Sequence, residues 1–237
     1  MTILKKKDFG IKIEEMNKAG VNFGHRISKS HPKMKPFVVG VKGSDHINMI
    51  DLEKTKEYFI KTLGFLEGFI KQGKTILFVG TKLPVRKLVE ETAKECEMPY
   101  VINRWLGGTL TNFPIMKNRL DHFKELEEKK KTGELEKYTK KERLEFDREL
   151  DRLDLKFGGI KYINKLPDSL FVIDMRKNEL AIKEAKAMGI PVLAIADTEV
   201  DPEKVDHFIP ANDDAISSVK YILEKVKEVI LKNKPVK

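Results

Sequence analysis

The stretch Pro191-Val-Leu-Ala-Ile-Ala-Asp197 is an apolar run with a proline at its head and a carboxylate at its foot. A strand with one wet face alternates apolar and polar residues, so a run without alternation has both faces covered. It reads as an inner strand of a parallel sheet. Thr75-Ile-Leu-Phe-Val79 before Gly80, Tyr100-Val-Ile102, Ser169-Leu-Phe-Val-Ile173 before Asp174, and His207-Phe-Ile209 read the same way. Helical spacing fills the intervals. Val85, Leu88, Val89, Thr92 and Cys96 follow the first run; residues 179–188 are closed by Gly189; Ile216, Val219, Ile222, Leu223, Val226 and Ile230 follow Asp213-Asp214. Alternating strands and helices with right-handed crossovers give an α/β fold. The expected architecture is a doubly wound parallel sheet, Rossmann- or flavodoxin-like, of about five strands.

Upstream, residues 52–72 form a long helix with Gly73 at its C′ position, and residues 11–19 a short one closed by Gly20. Residues 37–41 and 46–50 pair as a small hairpin through Gly43-Ser44. Residues 112–157 break the alternation. Phe113, Met116, Leu120, Phe123 and Leu126, then Phe146, Leu150, Leu153 and Phe157, recur at intervals of three and four on a charged background. Thr132-Gly133 separates the two series, and Thr139 with Glu142 makes a capping box. This predicts an inserted antiparallel coiled-coil helical hairpin. The expected domains are a basic arm and small hairpin (1–45), an α/β domain (46–111 and 158–232), the hairpin (112–157) and a tail (233–237).

Of the 237 residues, 41% are hydrophobic and 35% charged, which excludes wholesale disorder. No apolar run approaches the roughly 18 residues of a membrane span. Lys5 to Lys7 are not followed by the apolar stretch of a secretory signal. A single cysteine, Cys96, excludes an internal disulfide and a cysteine zinc finger. Cytoplasm is the expected compartment. The net charge of +9 is uneven: residues 1–42 carry ten Lys/Arg and three Asp/Glu, residues 158–216 seven and eleven. A localised basic arm points to a polyanion, because each phosphate neutralised releases counterions.

Gly68-Phe-Ile-Lys-Gln-Gly73-Lys74-Thr75 matches a phosphate-loop pattern, but in reverse context. A working loop follows a strand and opens a helix, and this one does the opposite. Lys82 and Arg86 follow the first sheet strand and are candidates for a phosphate of a larger partner. Asp174 and Asp197 end strands, near Asp201, Asp213 and Asp214. These read as caps first. A metal set of His25, Asp197 and Asp213, holding zinc or magnesium, is the sharper alternative. No catalytic constellation appears, and Cys96 sits on an apolar helix face.

The loop Gly24-His-Arg-Ile-Ser-Lys-Ser-His-Pro-Lys-Met-Lys-Pro36 holds Arg26, Lys29, His31, Lys33 and Lys35 without an acid. Such a segment suits threading along phosphates. Arg104 and Trp105 stand beside a glycine pair that permits close approach. Trp105 has two readings, stacking on a base or anchoring the hairpin to the sheet. Lys117 and Arg119, on the first hairpin helix, complete the candidate RNA-binding set.

Several segments resemble, in order, one family. Val21-Asn-Phe-Gly-His-Arg26 with Pro32-Lys-Met-Lys-Pro-Phe37 is similar to the N-terminal region of the bacterial small-subunit ribosomal protein S-two family. Arg104-Trp-Leu-Gly-Gly-Thr-Leu-Thr-Asn112 resembles its central signature. Leu166-Pro-Asp-Ser-Leu-Phe-Val-Ile-Asp174, Gly189-Ile-Pro-Val-Leu-Ala-Ile-Ala-Asp-Thr198 and Ile209-Pro-Ala-Asn-Asp-Asp-Ala215 resemble its later ones. The resemblance implies a non-enzymatic, ribosome-bound component of the small subunit. It implies contacts with small-subunit rRNA and neighbouring ribosomal proteins, docking of the mRNA-binding protein S-one, and no required cofactor or small-molecule substrate. The rival is a nucleotide- or metal-dependent phosphotransferase using Asp174, Asp197 and Lys82.

Overall fold

The computed structural model describes residues 8–44 and 46–234. Lys5 to Lys7, Asp45 and the last three residues of the expected tail lie outside the described residues. A short helix α1 (Ile13–Lys18) leads into β1 (Phe23–Arg26), then β2 (Val38–Lys42) and β3 (Ile47–Ile50). These three form an antiparallel sheet in the order β1-β3-β2. The long helix α2 (Leu52–Lys71) is capped by Asp51, whose Oδ1 accepts from the N–H of Glu53 at 3.0 Å. Next come β4 (Ile76–Val79), α3 (Arg86–Glu95), β5 (Tyr100–Val101), α4 (Phe113–Lys131) and α5 (Lys140–Phe157). β6 (Ser169–Val172), α6 (Glu179–Ala187), β7 (Val192–Ala196), β8 (His207–Pro210) and α7 (Ile216–Asn233) complete the chain.

The main sheet is parallel throughout, in the order β5-β4-β6-β7-β8. Every residue of β4, β6 and β7 is buried, as their unbroken apolarity requires. Successive side chains alternate between the faces. Ile76, Phe78, Phe171, Leu193 and Ile195 pack on one side with α1, α2, α3 and α7. Leu77, Val79, Leu170, Val172 and Ala194 pack on the other with α4, α5 and α6. The chain begins the sheet at β4, adds β5 on one side and then turns back to add β6 on the other. The order therefore reverses between β4 and β6, where such sheets leave a crevice at their carboxyl ends.

α4 and α5 interrupt the alternation and pack on each other. Pairing of His122 with Glu149 at 3.2 Å and Lys130 with Asp147 at 2.7 Å shows that they run antiparallel. Met116, Leu120, Phe123, Leu126, Leu150 and Phe157 are buried between them and the sheet. The Thr139–Glu142 capping box is present.

Three expectations need correction. The basic stretch 24–36 is not a free loop: it contains β1 and two 3-10 turns, Ile27–Lys29 and Pro32–Phe37. Its strand is polar and forms because β3 supplies the ladder, not because of any apolar pattern. A domain boundary at residue 45 would cut through that sheet, and Ile11, Met16 and Val21 belong to the main core. Asp213 and Asp214 do not cap α7. The N-cap position of α7 is Ala215, with no side-chain cap, and Asn212 shapes the turn before it, its Oδ1 accepting from the N–H groups of Asp214 at 2.8 Å and Ala215 at 3.0 Å. One expectation is met without change: Gly68 lies within α2 and Gly73 just beyond it at φ 68°, so the phosphate-loop text, in its reversed context, has no phosphate-binding geometry.

Candidate nucleic-acid interface

The carboxyl ends of β4, β6, β7 and β8 converge on one crest. Lys82, after β4, reaches into the crevice. Its Nζ lies 3.0 Å from Asp213 Oδ1 and 3.6 Å from Asp174 Oδ2, and it also pairs with Asp214. Burial opposes the ammonium charge, but these carboxylates overcome it and raise its pKa above the usual lysine value. Asp213 shows the opposite balance. Burial, then the neighbouring charges of Asp197 and Asp174, push its carboxyl up despite Lys82. Lys82 is the cation these carboxylates share, and the half-exposed Asp214 is held below its ordinary range by it against the effect of burial. The crevice where a sheet of this order binds ligands is filled by the chain's own charges.

β1 closes the crest from above. The His25 N–H donates to Thr198 Oγ1 at 2.8 Å and the His31 N–H to the Thr198 carbonyl at 2.8 Å. Gly24 allows this seat, since a Cβ there would lie 2.6 Å from Thr198 Cγ2. His25 Nδ1 lies 3.1 Å from Asp197 Oδ1, close enough for ionic contact but without hydrogen-bond direction. Its Nε2 lies 3.2 Å from Asp214 and 3.6 Å from Glu199. The Asp197 contact raises the imidazole to about 9 against the effect of burial, with Glu199 and Asp214 adding to it. Asp197 also accepts from the Thr198 N–H and hydroxyl. Asp213 turns its carboxylate to Lys82. Among the described residues no group of three or more His, Cys, Asp and Glu is placed to hold a metal ion. His25, Asp197 and Asp213, expected as a metal set, fall instead in an ion-pair cluster, His25 on Asp197 and Asp213 on Lys82.

The other candidates divide by what they touch. Lys33 pairs with Asp201 at 3.0 Å and with Glu203. The basic stretch 24–36, acid-free in sequence, thus lies against the acidic 197–214 segment in space. His31 is half-buried, with Nδ1 accepting from the Lys33 N–H at 3.3 Å. Arg26, Lys29, Lys35, Arg104, Lys117 and Arg119 are exposed. Arg86 is not available to a phosphate. Its guanidinium donates to the Thr81 and Asn103 carbonyls, both at 3.1 Å, and to Asn103 Oδ1 at 3.3 Å. Asp174 does cap, accepting from the Lys177 N–H at 2.8 Å, and Asp201 caps the 3-10 turn Pro202–Lys204. Cys96 is fully buried, and desolvation pushes its thiol up to about 11, as suits a core residue.

Trp105 is 6% exposed and packs in the second core. Its Nε1–H donates to Glu184 Oε1 at 3.2 Å. Glu184 also accepts from the N–H groups of Gly108 at 2.8 Å, Leu110 at 2.9 Å and Thr111 at 3.3 Å, and from the Thr111 hydroxyl at 3.3 Å. Burial raises a carboxyl, but these donors win and hold Glu184 below its ordinary range. With Arg86 fixing Asn103 and Glu184 fixing residues 105–111, Arg104 is an exposed cation on a clamped loop. The signal for Glu184 was present in the sequence: it stands three residues after buried Ala181, on the apolar face of its helix. Only the loop that it holds was invisible.

The chain matches the family model described as ribosomal protein S2 over residues 16–233. It is 44% identical over 224 residues to the small ribosomal subunit protein uS2 of a Nitratiruptor species, covering 94% of this chain and 83% of that one. It is equally 44% identical over 221 residues to the uS2 of Geotalea uraniireducens, covering 93% and 86%. A crest closed by its own ion pairs, an exposed basic arm and this likeness along nearly the whole chain agree: the chain belongs to the ribosomal protein S2 family.

Proposed function

We propose that this chain is a structural, non-catalytic component of the small ribosomal subunit, ribosome-bound in the cytoplasm. It binds small-subunit rRNA and neighbouring ribosomal proteins and helps dock the mRNA-binding protein S-one. The observation that carries the reading is the family match over residues 16–233. In it, Arg26, Lys29, Lys35, Arg104, Lys117 and Arg119 meet phosphates directly, giving salt-dependent affinity, and rRNA shape gives specificity. His31 and Lys33 border that surface, Lys33 exchanging carboxylate partners for phosphate ones. Lys82 and Trp105 act from within, holding the crest and the loop in shape. The helical pair serves as a coiled-coil spacer against rRNA, and no cofactor takes part. Among the described residues no helix is long and apolar enough to cross a membrane.

The test is sedimentation of a cell lysate through sucrose, with a moderate salt wash. Stoichiometric co-migration with small subunits is expected. Recovery at the top of the gradient would refute the reading and return attention to the phosphotransferase alternative. That alternative predicts thermal stabilisation by nucleotide with magnesium, in the absence of RNA.

A further inference from the structure

At the root of the helical pair, where α4 and α5 meet the Trp105 loop, a groove of about 490 Å³ opens. Met116, Leu153 and Phe157 make its floor, and Arg119, Arg152 and Lys156 stand on its rim. The one carboxylate that lines it, Glu149, is engaged by His122 at 3.2 Å. All three cations are exposed, and among the described residues none has an ion-pair partner. This separates them from Lys33 and Lys82, whose charges are taken up by carboxylates of the crest. Arg152 and Lys156 lie one turn apart on α5, and Arg119 faces them from α4. The cations thus come from two helices and line one groove.

We infer that this groove receives a single unstacked nucleotide of rRNA. Its flanking phosphates lie along Arg119, Arg152 and Lys156, and its base lies against the floor at Leu153. The inference rests on the rRNA reading above. Planar guanidinium groups suit phosphate oxygens in paired contacts. The apolar floor accepts a base edge or face only when the base is out of its stack, as in RNA loops and bulges. The volume falls in the range of roughly 300–1,000 Å³ typical of small-ligand pockets. A rim of cations spread along two helices follows a polynucleotide backbone, whereas a free nucleotide would need its phosphates gathered at one backbone cradle.

The test compares the full chain with two triple variants, R119Q/R152Q/K156Q in the groove and K29Q/K35Q/R104Q outside it. The probe is an in vitro transcript of small-subunit rRNA, with binding followed across a salt series. Each phosphate-contacting cation removed should flatten the slope of log K against log salt by about 1. The groove variant is expected to lose about 2 to 3 in slope, with its urea midpoint unchanged. A 4-thiouridine-substituted transcript should crosslink to residues 149–157 of the parent chain and not of the groove variant. An unchanged slope and no crosslink there, with the outer variant still weakened, would overturn the groove and leave the rRNA reading standing. Failure of the parent chain to bind the transcript would overturn both.

Discussion

Glu184→Gln replaces one oxygen of a buried carboxylate by an amide. In the better of the two amide orientations, the remaining oxygen keeps the Leu110 and Thr111 donors. The NH2 group then faces the Trp105 Nε1–H and the Gly108 N–H, which now at 3.2 and 2.8 Å meet a carboxylate oxygen. Two donors, one buried and one half-buried, lose their acceptor, at about 1–3 kcal/mol each, so the loss should be about 3 kcal/mol. For a chain of this size that lowers Tm by about 6–12 °C. The chain has one tryptophan, so its emission reports on this loop alone. Urea unfolding followed by Trp105 emission and by far-ultraviolet dichroism is the assay. The variant should shift the midpoint on both signals and redden the folded-state emission. A shift below about 0.5 kcal/mol with unaltered emission would show that Glu184 does not hold the loop, and the account of Arg104 presentation would fall with it.

The same carboxyl sets an acid limb. Its folded pKa lies below its unfolded one, so its contribution is complete above about pH 4.3 and is lost as pH falls through the folded value; Glu184→Gln should lose part of that dependence in acid titrations of Tm. Lys82→Met leaves Asp174 and Asp213 facing each other without their cation, and should destabilise by about 2 kcal/mol in chemical denaturation, discounted from a fully buried pair because Asp214 is half exposed. Gly159→Ala would place a Cβ 2.2 Å from the Tyr100 carbonyl oxygen, and should cost about 3 kcal/mol by the same measurement. Gly24→Ala should unseat β1 from Thr198, at about 1–3 kcal/mol, and speed amide exchange at His25 and His31.

The sheet was legible because a strand covered on both faces must be apolar at every position, and few other structures demand that. β4, β6 and β7 declare themselves from four or five residues each. The helical pair was legible from its three-four spacing and its capping box. β1 was not, since Phe-Gly-His-Arg carries no alternation and owes its strand to pairing with β3. The crest was half legible. Strand-end aspartates mark where ligands bind in such sheets, but their partners come from far along the chain: Lys82 is 131 residues from Asp213. Charge counted by segment also misled, because the basic arm and the acidic 197–214 stretch compensate each other on folding.

The seat of β1 on Thr198 joins atoms 173 residues apart in sequence. During synthesis at about 5–20 residues per second, the arm leaves the ribosome some 9–35 seconds before its partner strand end exists. Through that interval Lys33 has neither Asp201 nor Glu203, and His25 has no carboxylate. The arm therefore spends its first moments as an unneutralised cationic tether, at its strongest for any nearby polyanion. Completion of β7 and the turn after it then draws the arm back onto the crest. This late contact reduces the chain's hold on bystander nucleic acid, so a chain truncated before residue 197 should be stickier toward RNA than the finished protein, and less discriminating.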